Sequence, residues 1–151
     1  MTTTPTHDTT FVESAVETLA KEGLRVWVFG GWAEEMLGIA DSRPHGDIDL
    51  LYLGPNFDEV DHVVRRKGWR SVKHLSHKRA FELSGITIDV FLVQRDQRGY
   101  YSTFFGQRHS WPDDVVSDPS RVAIASFRSV SGFPDAFGRL LERREGDQAG
   151  S

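Results

Sequence analysis

Apolar residues recur every three or four positions in three segments of the chain, a spacing that predicts helices with one buried face. The first segment opens on a capping box, Thr10-Phe11-Val12-Glu13, and Gly23 is suited to end it. Weaker signals predict further helices from Asp118 and from Pro134. The three periodic segments cover residues 10–22, 32–37 and 57–67.

Short apolar or alternating runs between these segments predict strands. The run at 86–93 is apolar on both faces, which is typical of a central strand covered on each side. Gly85 stands between this run and the preceding one, and therefore predicts a tight hairpin. The predicted strands cover residues 25–29, 47–53, 69–75, 79–83, 86–93 and 100–105.

The order of these elements predicts an α/β (α+β) fold with a short mixed β-sheet flanked by helices. A helix between the first two strands, and another after the second, permits parallel as well as hairpin pairing. The length of 151 residues suits one domain, which we assign to residues 1–145. Residues 146–151 are expected to form a disordered tail.

Two carboxylates interrupt the second predicted strand. Asp47 and Asp49 alternate with Ile48 and Leu50, so both acids point to one face while the apolar residues point to the core. Like charges side by side on a half-buried strand repel each other and lose solvation. A hard cation such as Mg²⁺ would remove this penalty, because it binds carboxylate oxygens.

A third carboxylate, Asp89, lies in the middle of the predicted central strand. One interpretation is that Asp89 binds a basic side chain or caps a loop; the other is that it stands beside Asp47 and Asp49 on an adjacent strand. In the second case, two divalent cations about 3.5–4 Å apart could hold the attacking and leaving oxygens of a phosphoryl displacement. Asp89 could then also accept the proton of an acceptor hydroxyl.

Composition and charge narrow the choice of function. The chain has no cysteine, which excludes disulfides and thiolate metal sites. It lacks a secretory leader and a membrane-length apolar run, so we expect a cytoplasmic protein without membrane contact. Residues 1–62 carry 12 acidic and 3 basic side chains, whereas residues 63–151 carry 10 and 15. The acidic part could attract a cationic substrate, or it could be ordinary solvated surface.

Three motifs together resemble the nucleotidyltransferase superfamily, and most closely its small aminoglycoside and lincosamide branch. These motifs are Gly30-Gly31-Trp32-Ala33, residues 43–49 (Arg-Pro-His-Gly-Asp-Ile-Asp) and Ile88-Asp89-Val90. The resemblance implies a short mixed sheet and the transfer of AMP from ATP to a hydroxyl, with Mg²⁺ bound and pyrophosphate released. It also implies a role in antibiotic resistance.

The resemblance assigns roles to individual residues. Asp47, Asp49 and Asp89 match the catalytic metal carboxylates, which would hold two Mg²⁺ ions. Gly30 and Gly31 match the phosphate loop, and Arg43 and His45 match positions near the nucleotide. Glu34 and Glu35 stand where relatives often have an aspartate, which leaves the acceptor side of the pocket undefined. Because the chain is short after its third aspartate, a second copy could complete that side as a homodimer.

Lys78 and Arg79 begin a predicted strand and are expected to face the site, where they could neutralise a triphosphate; exposed edge charges are the alternative. These two belong to a stretch of seven bases without an acid: Arg65, Arg66, Lys67, Arg70, Lys73, Lys78 and Arg79. Such a stretch could bind nucleic acid, although a solvated helix face and edge strand more often explain it.

The sequence therefore predicts a Mg²⁺-dependent adenylyltransferase that uses ATP or another NTP and modifies a small, cationic or sugar-like hydroxyl acceptor. Two alternatives stay open. One is a toxin-like nucleotidyltransferase that modifies RNA or tRNA ends, and the other is a non-catalytic nucleotide- or ligand-binding module of the same fold.

Overall fold

The computed structural model describes residues 9–39, 41, 46–116, 125 and 129–133, and the elements between residues 9 and 110 are three helices and seven strands. The helices are α1 (Thr9–Lys21), α2 (Gly30–Met36) and α3 (Asp58–Lys67). The strands are β1 (Val26–Phe29), β2 (Asp47–Leu53), β3 (Ser71–Leu75), β4 (Lys78–Leu83), β5 (Ile86–Asp96), β6 (Gly99–Phe104) and β7 (Gln107–Ser110). None of these helices has the length and hydropathy needed to cross a membrane.

The strands form one mixed sheet in the order β1-β2-β5-β4-β3, with β6 and β7 added in turn to β5. Strands β2 and β5 are parallel, and every other pair is antiparallel. The chain reaches β5 from β2 by way of α3 and the β3–β4 hairpin. This crossover confirms the predicted mixed sheet and puts β2 beside β5 at its centre.

Alternation along β2 separates a core face from a polar one. Ile48 and Leu50 are fully buried, whereas Asp47 is exposed and Asp49 is partly buried. The strand thus places its two acids on the face opposite its buried Ile and Leu, as a period of two residues requires.

Local sequence signals define the ends of α3. The side chain of Asn56 accepts a hydrogen bond from the backbone N–H of Asp58, which satisfies a donor in the first turn. Gly68 ends the helix at a φ of 68°, and its N–H donates to the carbonyl of Arg65. Acids in the first turn and bases in the last suit the helix dipole.

The predicted elements agree with the structure except at a few boundaries. Strand β3 begins at Ser71 rather than Trp69, and the Trp69 ring stacks on Phe81 with centroids 5.3 Å apart. Strand β5 continues to Asp96, where it pairs with β6. Strand β7 was not predicted, since its sequence has no apolar alternation and it exists through pairing with β6.

Several predictions fall outside the described residues. These are the helices from Asp118 and Pro134, the tail at 146–151, and the positions Arg43 and His45. The single domain over 1–145 stays a prediction.

Candidate active site

The parallel pairing of β2 and β5 brings the predicted carboxylates together. Asp49 and Asp89 are direct partners in the register, so their side chains leave the same face of the sheet. Asp47 lies two residues before Asp49 on that face. Asp89 is only 3% exposed. The structure therefore places all three acids at one location on the sheet.

Burial and mutual repulsion change the acidity of this cluster. Burial raises the pKa of Asp49 from its ordinary 3.8 to about 7, and the charge of Asp89 adds to the effect. The pKa of Asp47 is raised for the same two reasons. Side-chain hydrogen bonding to Asp89 raises the pKa of each acid further. The cluster thus retains protons at pH values where isolated aspartates have lost them.

Lys78 supplies the basic partner of the cluster. Its Nζ lies 3.1 Å from Oδ1 of Asp89, and the side chains are 19% and 5% exposed. The positive charge of Lys78 opposes the upward pKa shifts of Asp47 and Asp49. Both interpretations of Asp89 therefore hold, because it stands beside the other acids and also pairs with a base.

Gly30 lies against Asp49. A Cβ on Gly30 would come within 2.2 Å of Oδ2 of Asp49, and the residue has a φ of +64°. Glycine is needed here for space and for backbone conformation alike. The sequence predicted a close approach of backbone to ligand; the structure adds that the backbone closely approaches a site carboxylate. Gly31 follows within α2.

Arg79 lies on the other face of β4, and the expectation that it faces the carboxylates is wrong. Its Nε lies 2.9 Å from Oδ1 of Asp61 on α3, and its guanidinium covers the Phe57 ring at 4.4 Å. Successive residues of a strand point to opposite faces, so Lys78 and Arg79 could not both reach the site. Arg79 instead ties α3 to the sheet.

Aromatic side chains pack next to the cluster, and no local sequence pattern predicts this packing. Phe29 is the register partner of Asp49 on β1. Its ring contacts Trp111 at 5.4 Å and Phe133 at 4.9 Å, each edge to face. Nε1 of Trp111 donates to Oγ of Ser102 at 2.8 Å, which fixes the indole. Trp111 is 5% exposed, so its ring belongs to the buried core beside the cluster.

The donor chemistry of the cluster fits a hard divalent cation, since three carboxylates lie together and two have raised pKa values. The side chains are not closed around such an ion. Among the described residues, no group of three or more His, Cys, Asp or Glu side chains is arranged to hold a metal. The ammonium of Lys78 already contacts Asp89.

Comparison with known proteins places the chain beside antibiotic-modifying enzymes. The family model described as aminoglycoside-2''-adenylyltransferase matches residues 11–125. No curated protein matches the chain by sequence.

Solved structures share the fold at low sequence identity. The solution structure of the antibiotic-resistance factor ANT(2'')-Ia has a TM-score of 0.60 and 20% identity, and the alignment covers 80% of this chain and 66% of that one. A crystal structure of ANT(2'')-Ia in complex with adenylyl-2''-tobramycin has a TM-score of 0.59 and 21% identity, and the alignment covers 80% of this chain and 70% of that one. The crystal structure of the lincomycin-bound lincosamide antibiotic adenylyltransferase LnuA has a TM-score of 0.63 and 15% identity, and the alignment covers 79% of this chain and 80% of that one. The chain thus spans just under two thirds of the first of these proteins, and the likenesses confirm the fold.

Proposed function

The chain belongs to the aminoglycoside-2''-adenylyltransferase family, and from this premise we propose that it transfers AMP from ATP to a hydroxyl of a small antibiotic. In this reaction the acceptor oxygen forms a bond to the α-phosphorus of ATP. The bond from that phosphorus to the bridging oxygen breaks, and pyrophosphate leaves with the electron pair. The proton of the hydroxyl passes to a carboxylate of the site.

One observation carries the proposal: Asp49 and Asp89 are register partners on parallel strands, with Asp47 on the same face. Stability alone gives no reason for this arrangement, because neighbouring buried carboxylates repel each other. A phosphoryl-transfer site does give one, since its metal ions need several anionic oxygens from a rigid support.

The proposed roles follow from the positions of the side chains. Asp47, Asp49 and Asp89 hold Mg²⁺, with two ions expected. When bound, Mg²⁺ neutralises phosphate charge and makes the acceptor hydroxyl more acidic. Asp89 is the proposed acceptor of the hydroxyl proton, because its side chain is the most buried of the three and lies directly beside Asp49.

Phosphate binding is assigned to residues around the cluster. Gly30 and Gly31 form the proposed phosphate loop, where Gly30 already lies against Asp49. Lys78 is the proposed cation for the triphosphate. Arg43 and His45, outside the described residues, are proposed to contact the nucleotide.

The proposed acceptor is cationic or sugar-like, since residues 1–62, which include Asp47 and Asp49, carry 12 acidic and only 3 basic side chains. A second copy of the chain is proposed to complete the acceptor side, and the cytoplasm is the proposed compartment.

Transfer of labelled AMP tests the proposal directly. We would incubate the protein with ATP labelled at the α-phosphate, Mg²⁺ and, separately, aminoglycosides, lincosamides and tRNA. Mass spectrometry would then identify an acceptor that has gained one AMP. Asp49→Asn and Asp47→Asn are expected to lower the rate by about 100-fold or more, whereas Asp58→Asn, on the first turn of α3, should retain it. Turnover by Asp49→Asn at the wild-type rate would refute the assigned chemistry.

The basic stretch gives little support to RNA as the acceptor. Five of its seven cations are engaged by carboxylates: Arg66 and Lys67 by Glu22, Arg70 by Glu82, Lys78 by Asp89 and Arg79 by Asp61. Labelling of tRNA, but of no small molecule, would reverse this choice. Binding of Mg·ATP in calorimetry without transfer to any acceptor would favour the non-catalytic module.

A further inference from the structure

The ammonium of Lys78 occupies a position inside the carboxylate cluster. Its Nζ is 3.1 Å from Oδ1 of Asp89, which is close enough for a charge-assisted hydrogen bond. Asp89 in turn is the direct neighbour of Asp49. Lys78 thus contributes a positive charge beside acids that would otherwise repel one another in a buried place.

The sheet geometry explains how Lys78 reaches this position. Ala80 is the register partner of Asp89 on β4, and its methyl group leaves room above the strand. Lys78 lies two residues earlier on the same face, opposite Phe91. Its ammonium is 5.4 Å from the centre of the Phe91 ring, so this ring also contacts the cation. The side chain is therefore held by packing as well as by charge.

We propose that Lys78 is an internal counter-cation that holds Asp89 in the metal-free protein and gives it up when Mg²⁺ enters. The freed ammonium then binds a phosphate of the nucleotide. This inference rests on the proposed function, and it adds that Lys78 couples metal binding to nucleotide binding.

The coupling follows from competition for one carboxylate. A positive charge beside a cation site lowers the affinity of that site, because the two like charges repel each other at short range. Mg²⁺ alone must therefore displace the ammonium from Asp89 without offering it a new partner. Mg²⁺ with a nucleotide supplies phosphate oxygens that the ammonium can contact instead. The site thus binds Mg²⁺ weakly by itself and strongly together with a polyphosphate.

The long, flexible stem of a lysine suits this exchange. A lysine carries a compact charge on four methylene groups, so its ammonium can move by several ångströms while the stem stays against Phe91. Arginine would keep the charge in a planar, larger group. Methionine would keep much of the stem and remove the charge.

Titration calorimetry of the full chain with MgCl₂ alone tests the competition. Lys78→Met is expected to bind Mg²⁺ about tenfold more tightly than wild type, because the competing charge is gone. With Mg²⁺ saturating, the same variant should bind a non-hydrolysable ATP analogue about tenfold more weakly. Lys78→Arg, which keeps the charge, should have a Mg²⁺ affinity close to that of wild type.

Arg79→Met is the matched control. Arg79 is the next residue of β4, it is similarly buried and it pairs with a carboxylate, but it lies on the other face. Its loss should leave the Mg²⁺ affinity unchanged.

The outcomes distinguish failure of the Lys78 counter-cation proposal from failure of the proposed metal site. If wild type and Lys78→Met bind Mg²⁺ equally well, the counter-cation is refuted and the metal site stands. If no protein binds Mg²⁺ with or without the nucleotide analogue, the metal site itself falls, and the counter-cation with it. Should Lys78→Met fail to fold, Lys78→Gln offers a polar neutral side chain for the same measurement.

Discussion

At the level of single residues, Asp49 combines burial with a like-charged neighbour. Its partner Asp89 lies directly across the strand pair, and Gly30 lies against its carboxylate. These contacts leave little space for solvent around the carboxyl group, which explains its raised pKa. Two predictions concern this residue and its neighbour.

The first prediction is a loss of stability with rising pH in the metal-free protein. The folded-state pKa of Asp49 is about 7, against an ordinary 3.8, so the folded protein holds this proton more tightly than the unfolded chain. The stability from this proton is complete below the ordinary pKa and is lost as pH rises through about 7. We expect the free energy of unfolding to fall by a few kcal/mol, since each pKa unit corresponds to about 1.4 kcal/mol.

Urea denaturation at a series of pH values, with EDTA present, measures this effect. The free energy of unfolding of Asp49→Asn should depend less on pH than that of wild type. Adding Mg²⁺ to the wild-type protein above neutral pH should raise its free energy of unfolding again. A wild-type profile that does not fall between mildly acidic and mildly basic pH would contradict the raised pKa.

The second prediction is that Gly30→Ala damages the site more than it damages the fold. The new methyl group would meet Oδ2 of Asp49 at 2.2 Å and would strain a backbone at positive φ. We expect the AMP-transfer rate to fall by about 100-fold, because small displacements of catalytic groups have large effects.

Gly38→Ala is the control for Gly30→Ala. Gly38 has a φ of +74° and open space around it, so its substitution introduces only backbone strain, about 1 kcal/mol. Thermal unfolding of both variants, measured beside the transfer rate, separates the two effects. Equal losses of activity in both would mean that the contact with Asp49 is unimportant.

At the level of elements, α3 is joined to the sheet by an ion pair whose base, Arg79, the sequence had assigned to the active site. Arg79 of β4 binds Asp61 of α3 and also donates to the backbone carbonyl of Leu75 on β3. The helix and both strands of the β3–β4 hairpin are thereby connected on the face opposite the carboxylates.

The prediction at this level is that Arg79→Met lowers stability without impairing catalysis. Removing one partner of a half-buried ion pair leaves the other charge unpaired, so we expect a loss of about 1–3 kcal/mol. Urea denaturation of Arg79→Met, Asp61→Asn and the double variant would give the coupling energy. If Arg79→Met kept the wild-type free energy of unfolding but lost the AMP-transfer activity, Arg79 would have to act in the active site.

At the level of the whole molecule, charge is divided along the chain. Residues 1–62 have 12 acids and 3 bases and contain two of the three site aspartates. A negative field around the site would raise the local concentration of a cationic acceptor and be screened by salt.

The whole-molecule prediction is therefore a KM for an aminoglycoside acceptor that rises with NaCl. We expect this KM to rise several-fold between about 20 and about 300 mM NaCl, because the Debye length falls below the size of the site. The KM for Mg·ATP in the same series is the control, because ATP is an anion and does not gain from a negative field. A salt-independent KM for the aminoglycoside would mean that the acidic surface has no part in acceptor binding.

Much of this fold follows from local signals in the sequence. The glycine after α3 marks the end of that helix, because backbone groups at the ends of a helix need particular partners. Alternation along β2 placed Asp47 and Asp49 on one face, since the period of a strand is a property of the strand itself. The same rule could have shown that only one of Lys78 and Arg79 faces the site.

Other features depended on contacts between distant parts of the chain. The choice of Lys78 over Arg79 required the register between β4 and β5, in which a shift by one residue exchanges the two faces. The existence of β7 required its partner β6. The aromatic packing of Phe29 with Trp111 and Phe133 likewise joins segments that are far apart in sequence.

The sequence by itself determined that Asp47 and Asp49 share one face of their strand, opposite its apolar residues, because alternation along a strand is local. Only the tertiary structure decided that Asp89 lies opposite Asp49 and that Lys78 pairs with it. The physical reason is that strand partners and register are selected by the packing of the whole sheet, which no short segment specifies alone.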